Sequence, residues 1–488
     1  MSIQSLNPSP VMTGTDYVFS STYAFSHMPQ VAKELTMRFG DQDFFKSTFE
    51  LFDGGVAPVA ASEYYHLEDN WLTTIIKVET QVGGAANASV TLTVQNNPDY
   101  NLTFPAAAVS PYIATGSVTQ TLTSPVAPNM TVDILGVQCQ VVSVDQTGLV
   151  TPGQVRFAVI PKVLGEAVPA TDASTEIIIV GNAWGERTGQ PESMAWRPVL
   201  YTNNMQEIKG TFSVSAREMQ QEAWIDYPVL GGGTKKLLWS WNALKNYQLY
   251  RNMIAATLIT GKKTTNTTLA NLNANTATTM TTEGMVPFVQ NYGNTYTYSG
   301  LTGLQKADWS TITTTYIDKY RGAKEYMALS GIFARNDMSN WMGDSMKNGA
   351  INYGMFGGGA LGKEKAINYD FDSFQLNGYT FHMKTFDPFN YIQQLGAAGQ
   401  PYPYRIVLIP ADRVAATMGD GPRVNVPAAR VVYLKQSQAP GAEYMVEWAT
   451  GAAGGAWTSQ IAEFNQNYRS TVGFEGFAGN RWLLIDKQ

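Results

Sequence analysis

The sequence predicts an α+β chain with an all-β module set inside it. Three observations carry this reading. One long helical pattern covers 234–260, short alternating strands recur between about 82 and 180, and helix-like and strand-like segments intermix from 307 onward. At 488 residues the chain is too long for one ordinary core, so two to four subdomains are expected.

In chain order, residues 1–30 carry Asn7-Pro-Ser-Pro10 and scattered Ser, Thr and Gly, which reads as an arm ordered only by its neighbours. Short amphipathic helices are expected over 28–39 and 42–51. Residues 71–80, with Leu72, Thr74, Ile76 and Val78, are strand-like. Composition then changes: between Lys77 and Arg156 there is no cationic side chain. Alternating runs follow at Val90-Leu92-Val94, Leu102-Phe104, Val118-Leu122, Met130-Val132-Ile134, Val137-Cys139-Val141, Val155-Phe157-Val159 and 177–180. Gly, Pro and Asn punctuate the intervals, so a small antiparallel sandwich or barrel is expected.

A glycine-rich turn region, 181–193, holds Trp184, Glu186 and Arg187. Trp and Arg are enriched at interface hot spots, and an aromatic packing on its own sandwich is the other reading. Trp196, Pro198 and Leu200 lead into the extended stretch 201–215, which starts at Tyr201-Thr-Asn-Asn and alternates through Phe212 and Val214. After a break at 228–233, Thr234 is a candidate N-cap and Gly261 a helix-ending glycine. Between them Leu237, Leu238, Trp241, Leu244, Tyr247, Ile254, Ala255 and Leu258 fall at spacings of three and four, a rod of roughly 40 Å. Residues 262–300 form a Thr/Asn-rich stretch read as a long loop. A helix over 308–321, a strand over 326–330, a helix over 336–347 and strands over 374–386, 405–409 and 431–435 come next. The last segment, 468–485, reads as a strand pair turning at Ala478-Gly-Asn480.

An extended arm, a returning aromatic-Thr-Asn strand and then one long helix resemble the major capsid protein of tailed double-stranded-DNA bacteriophages, the Hong Kong 97-like fold. The order of segments extends that resemblance over nearly the whole chain. It implies an N-terminal arm with short helices in 1–70, and E-loop limbs in 71–215 carrying a β insertion at about 82–180. A P domain would occupy 216–306, with its spine helix at about 235–260 and a Thr/Asn-rich loop. An A (axial) domain would occupy 307–460, and 461–488 would return to the P domain. Most members have a bare hairpin where this chain has the insert. The long neutral polar loops and the large insert resemble most those of the crAss-like gut phages.

The implied function is assembly: a structural subunit self-associating into hexamers and pentamers of an icosahedral head that encloses double-stranded DNA. Its partners would be itself, minor or auxiliary capsid and head-fibre proteins, a portal and a scaffold. The insert would face outward or bridge neighbours. Trp184, Glu186, Arg187, Trp196, Arg197, Tyr201 and Trp241 are the candidate assembly-interface residues. Some members lock the shell with Lys–Asn isopeptide bonds from the E-loop tip; no lysine lies between Lys162 and Lys209, so no such crosslink is expected.

Composition bounds the alternatives. Charged residues make up 15% and the net charge is −6, with no run of Lys and Arg of the kind nucleic-acid binders show. One cysteine, Cys139 on an alternating strand, excludes an intramolecular disulfide framework and reads as a small buried hydrophobe. No Lys or Arg precedes Lys33 and no apolar run reaches 18 residues, so neither a signal peptide nor a membrane span is expected. Assembly would take place in a bacterial cytoplasm and the product would be a virion component, which leaves the sequons at Asn87, Asn101, Asn129 and Asn266 without a role.

Catalytic, cofactor and metal sites are not expected. Gly357, Gly359 and Gly362 match G-x-G-x-x-G but lack the strand before and the helix after that a dinucleotide site needs. Gly231-Gly-Gly-Thr-Lys-Lys lacks phosphate-loop spacing and reads as a hinge. His27, His66 and His382 stand in separate segments, and Asp370 and Asp372 read as solvated strand charges. The rival readings are an encapsulin-like shell protein around enzyme cargo, a polysaccharide-binding or adhesin protein with the sandwich as its binding module, and, last, an enzyme of another type.

Overall fold

The structure is a computed structural model. It describes residues 43, 45, 46, 48, 56–68, 75–93, 126–145, 156–173, 175–190, 199–222, 226–228, 232–264, 280–300, 303–318, 322–348, 373–390, 402–417, 423–435, 445–452 and 458–487. The chain divides into two compact units, residues 66–201 and the remainder.

The 66–201 unit is built on one antiparallel sheet of six strands. In spatial order they are Ile75–Lys77, Glu176–Asn182, Met130–Ile134, Val137–Asp145, Arg156–Pro161 and Val90–Thr93. The two outermost strands are brought together: Glu79 N donates to Thr93 O at 3.0 Å. The sheet therefore curls so that its two edges meet at this point. Alternation places Ile76, Leu92, Val132, Ile134, Cys139, Val141, Phe157, Val159 and Ile177 in one interior cluster. The tight connection at Leu135-Gly136 has φ of 50° and 89°, the handed turn a two-residue hairpin needs, and Asp133 Oδ1 accepts from Gly136 N at 2.8 Å. Burial pushes the Cys139 thiol up to about 11, so it stays a protonated apolar group.

Residues 71–80, which the resemblance made the outgoing limb of the E-loop hairpin, are paired elsewhere. Their described part, Ile75–Lys77, is an edge strand of this sheet and pairs with 176–178. The reason is visible in the alternation, since Ile76 and Val78 are fully buried in the interior cluster. The strand that pairs with Val199–Asn204 is instead Glu63–Glu68. The runs near 102–104 and 118–122 lie outside the described residues.

In the second unit the dominant helix, α1, spans Leu238–Thr260. At 1.5 Å per residue it is about 35 Å long. It starts later than the Thr234 cap anticipates because Thr234–Lys235 is used in a small hairpin with Tyr227–Pro228, turned through Gly232 and Gly233 at φ of 91° and 86°. Its first turn is held by Ser240 Oγ donating to Leu237 O at 2.7 Å. Ser240, Ala243, Tyr250, Ile254, Ala255, Leu258 and Ile259 are buried, whereas Trp241 and Leu244 are half-buried. Gly261 does end the helix, though not by a left-handed turn: a Cβ there would lie 2.5 Å from Thr257 O and 2.9 Å from Thr282 O.

Helix α1 packs on a five-stranded sheet in which Val56–Val59, Ala429–Leu434, Glu463–Gly476 and Gln206–Ser215 follow in order. Val446–Gly451 adds a further strand beside Glu463–Gly476. The longest ladder pairs all ten residues of Gln206–Ser215 with 463–472. A six-stranded mixed sheet runs Asn294–Tyr298, Leu483–Lys487, Ile406–Pro410, Glu325–Ser330, Tyr379–Thr385, Ser373–Leu376. Helix α2 (Met285–Tyr292), α3 (Lys306–Thr311, continuing as a π-helical Ile312–Asp318) and α4 (Ile332–Asn348) accompany it. Trp309 stands edge-on to Phe374 and Phe381 at 5.0 and 4.9 Å in its core.

Several elements depart from expectation. Helix α2 and strand Asn294–Tyr298 occupy the stretch read as a long loop, because Met285-Val-Pro-Phe-Val289 is an unbroken buried run with its proline in the first turn, where a helix tolerates one. The strand read over 431–435, which the resemblance assigned to the axial domain, lies in Ala429–Leu434 and pairs with Glu463–Gly476 and Val56–Val59. The closing strand pair is no hairpin. Glu463–Gly476 and Leu483–Lys487 belong to different sheets, redirected by Ala478 at φ 53°, a short 3-10 turn at Gly479–Arg481 and the fully buried Trp482. The helix expected over 28–39 lies outside the described residues. Of that over 42–51, Phe45, Lys46 and Thr48 are helical, and Asp43 pairs with Arg251 of α1 at 2.8 Å.

Candidate assembly surfaces

The Tyr201-Thr-Asn-Asn stretch closes a buried polar joint. Asn203 is fully buried, and its Nδ2 donates to Phe474 O at 2.8 Å and Glu283 O at 3.0 Å. Its Oδ1 accepts from Glu283 N at 2.9 Å and Asn204 N at 2.8 Å. Tyr64 adds its hydroxyl to Phe474 O at 2.5 Å. One amide therefore ties the strand before Gln206–Ser215, the segment that follows α1 and the long return strand. Such a satisfied network is rigid and specific to one arrangement of chains. The Glu283 carboxyl accepts from Asn291, and burial pushes its pKa above the usual carboxylate range, with Lys263 pulling the other way.

A second anchor lies along α1. The Tyr250 ring stacks on Tyr468 at 5.3 Å, and its hydroxyl meets Ser470 Oγ at 2.8 Å and Ile208 O at 3.2 Å. Burial raises the Tyr250 hydroxyl to about 12, so it remains a donor. Two ion pairs brace the sheets, one buried and one half-buried. Arg430 Nε meets Glu475 Oε2 at 2.5 Å, and Arg405 grips Asp486 with two bonds of 2.6 and 2.7 Å.

The seven interface candidates separate. Trp184 (39% exposed), Glu186 and Arg187 sit together on an exposed loop after Glu176–Asn182, with Arg187 at φ 63° and Thr188 Oγ1 bonded to Gly185 O. Tyr201 is 3% exposed with its ring 4.8 Å from His66, an internal packing residue. Its position follows from strand alternation, which turns Tyr201 and Asn203 inward. Trp241 is half-buried against Tyr227 at 6.0 Å. Trp196 and Arg197 lie outside the described residues.

Other surfaces were not legible as candidates. On Glu63–Glu68, Tyr64 points inward while Tyr65 and Leu67 are 55% and 52% exposed. Leu249 and Met253 are exposed one turn apart on α1, Ile332 and Phe333 at the start of α4, and Trp448 on Val446–Gly451. Alternation within Glu63–Glu68 carries a signal for the first pair, but which face turns outward depends on tertiary pairing. The 66–201 unit also has an open groove of about 560 Å³ between Leu135 and Ala170, Thr171, Asp172, Thr175 and Glu176, where Thr175 Oγ1 is bonded within the turn to Asp172.

Among the described residues no group of three or more His, Cys, Asp or Glu is placed to hold a metal ion. No described helix is long and apolar enough to cross a membrane. His66 and His382 lie far apart in the chain, and His66 Nε2 is 3.1 Å from Glu68. Gly232 and Gly233 of the phosphate-loop-like run turn a hairpin. His27, Asp370, Asp372 and the 357–362 glycines lie outside the described residues.

No protein-family model matches the chain, and no curated protein matches it. Solved structures similar to it are mostly phage capsids. The capsid of an empty GTA particle shares 9% identity over 94% of this chain and 95% of that one, with a TM-score of 0.39. The capsid of cyanophage P-SCSP1u shares 10% identity over 64% of this chain and 81% of that one, with a TM-score of 0.32. The SrpI encapsulin from Synechococcus elongatus PCC 7942 shares 8% identity over 59% of this chain and 75% of that one, with a TM-score of 0.31.

Proposed function

We propose that this chain is a major capsid protein, the subunit of a shell that encloses double-stranded DNA. The observation that carries the reading is the joint between Gln206–Ser215, α1 and Glu463–Gly476. A returning strand, one long helix and a late return strand lock together through Asn203 and Tyr250. That is the arrangement the order of segments in the sequence resembles. On this reading Glu63–Glu68 and Val199–Asn204 are the limbs of the E-loop, and the six-stranded 66–201 unit is its insertion. α1 is the spine helix, and the six-stranded mixed sheet is the core of the axial domain.

The limb ladder supports an assembly role. A two-stranded ladder is marginal in water on its own, and this one keeps Tyr65 and Leu67 in solvent. Exposed apolar side chains on a thin element gain their burial from a neighbouring subunit. Closed heterologous contacts of this kind build rings, here hexamers and pentamers, through the large obligate class of interface, roughly 2,000 Å² or more. Trp184, Glu186 and Arg187 offer the insert's contact loop for minor or fibre proteins. Portal and scaffold complete the partner set, with assembly in the host cytoplasm.

The test is negative-stain microscopy with light scattering on the purified chain, alone and co-expressed with its neighbouring genes. Hexamers, pentamers, tubes or shells are expected. A monomer at every concentration in both preparations would overturn the proposal, and shells filled with protein cargo and free of DNA would move it to the encapsulin-like reading.

A further inference from the structure

The longest helix turns an uncharged row of side chains to solvent. Of the 23 residues of α1, three are exposed, Asn246, Leu249 and Met253. Leu249 is 59% exposed and Met253 40%. They stand three and four residues apart, and the same spacing carries the row back to Asn242 and on to Ala256 and Thr260. A helix face left to water carries charged and polar groups. Amides, leucine, methionine and small residues at heptad spacing make the seam of a helix pair instead. The side that packs on its own sheet is separate, through Ala243 and Tyr250. Asp43 and the Phe45 ring meet α1 at Arg251, which is also off the row.

The charge around this row is one-sided. Between Asp226 and Glu283 the chain has six cations and no carboxylate, in a protein whose net charge is −6. Among the described residues Arg251 alone of the six is ion-paired. Lys235, Lys236 and Lys262 are exposed, and Lys263 turns to Thr202 Oγ1 at 3.3 Å. Lys245, one turn before Leu249, meets only the neutral Gln248 Oε1 at 3.3 Å. We infer that this face of α1 docks an amphipathic helix of an acidic partner protein. Its apolar side would cover Leu249 and Met253, and its carboxylates would meet Lys245 and the lysines at the two ends of α1, a helix-in-groove contact. The row from 242 to 260 spans about 27 Å at 1.5 Å per residue, room for a partner helix of about 18 residues. A second copy of α1 is a poor occupant, because two cationic faces would meet with no carboxylate to pair them. Double-stranded DNA would satisfy the lysines through its phosphates and leave Leu249 and Met253 unburied. Docking of this kind needs only the fold of the larger unit and not the shell reading.

The experiment uses the purified full-length chain and a fluorescein-labelled helical peptide of about 18 residues, with leucine along one face and glutamate on both flanks. Fluorescence anisotropy should show one peptide bound per chain, more weakly as salt is raised. The same peptide with lysine in place of glutamate should bind about tenfold more weakly. Leu249→Ser/Met253→Ser and Lys245→Glu should each lose a similar factor at unchanged melting temperature. Failure of the glutamate peptide to bind, equal binding of the lysine peptide, or full binding by Leu249→Ser/Met253→Ser would overturn the inference. So would binding of a double-stranded DNA oligonucleotide that Lys245→Glu abolishes, which assigns the face to nucleic acid. Benzoylphenylalanine at position 253 gives an independent reading, with photolinks to the bound peptide expected. Photolinks formed without peptide, to residues 1–42 of the same chain or to a second copy, would show the face already taken and overturn it too. Absence of shells in the microscopy above would remove the shell reading and leave this one standing.

Discussion

The ring of Tyr250 occupies the space a side chain on Gly210 would need: a Cβ on Gly210 would sit 2.8 Å from Tyr250 Cδ2. The ring also stacks on Tyr468, which pairs across the ladder with Gly210. Helix and ladder approach this closely because one residue on the ladder has no side chain. Gly210→Ala should force the ring from its bonds to Ser470 and Ile208, and overpacking of this kind costs about 1–3 kcal/mol. Denaturant unfolding checks it, with Gly185→Ala, which meets only a van der Waals neighbour at 3.5 Å, as the near-neutral control.

Asn203→Ala should destabilise the same unit. The deletion removes the Asn203 donor from Glu283 O and from Phe474 O, which keeps only Tyr64, and strips the acceptor from Glu283 N. Each buried group left unpaired costs roughly 1–3 kcal/mol. Asn203→Asp should fail as well, since an ionised carboxylate cannot donate to Phe474 O and sets a second negative charge beside Glu283. Thermal unfolding of both variants should show losses, and a near-wild-type Asp variant would contradict the assigned donor role.

The pH dependence follows from Glu283. Burial raises its pKa in the folded chain above that of the unfolded chain, so the folded state holds the proton more tightly. Its favourable contribution is therefore present in acid and is lost as pH rises through the raised value. Glu283→Gln should be more stable than wild type at neutral pH, with the difference shrinking towards acid. Melting temperatures of the two proteins across pH 4–8 (a range set by about 4.3 for a free glutamate) test the sign.

Arg430 and Glu475 face one another across paired strands, both buried. Removing one partner, as in Glu475→Ala, leaves a buried unpaired charge and should cost about 3–5 kcal/mol. Replacing both with apolar residues of similar volume should restore much of that. A double-mutant cycle in denaturant decides between a coupled pair and two independent residues.

The 66–201 unit should melt on its own account. Phe157 fills its interior, and Phe157→Ala should cost that unit about 3–5 kcal/mol. Calorimetry should show one transition shifted and the transition of the other unit unchanged.

Much of the secondary structure was legible in the sequence, because alternation and three–four spacing report burial directly. Cys139, Phe157 and Ile177 fall on the buried side of their strands as the pattern implies. What stayed hidden was long-range. Asn203 stands in a stretch already singled out, yet its partners lie 80 and 271 residues away. Thr234 has the chemistry of a cap but is used in a hairpin. Met285-Val-Pro-Phe-Val289 is too short to show a helical period. Of the candidate residues, Trp184, Glu186 and Arg187 lie on an exposed loop, in keeping with their glycine-rich surroundings. The burial of Tyr201 was not legible, because the same aromatic suits a surface or an interior, and its pairing with Glu63–Glu68 decides.

The split of the last two strands between two sheets sets an order on biosynthesis. On a translating ribosome every strand of the six-stranded antiparallel sheet has emerged once residue 182 is out, so that sheet can fold while the rest is still being made. The five-stranded sheet must wait for Glu463–Gly476 and the mixed sheet for Leu483–Lys487. Throughout that interval Gln206–Ser215 has no ladder partner, and nascent copies side by side on one message would each hold an open strand. The stretch of chain between 216 and 462 is thus the window in which a chaperone or scaffold has most to protect.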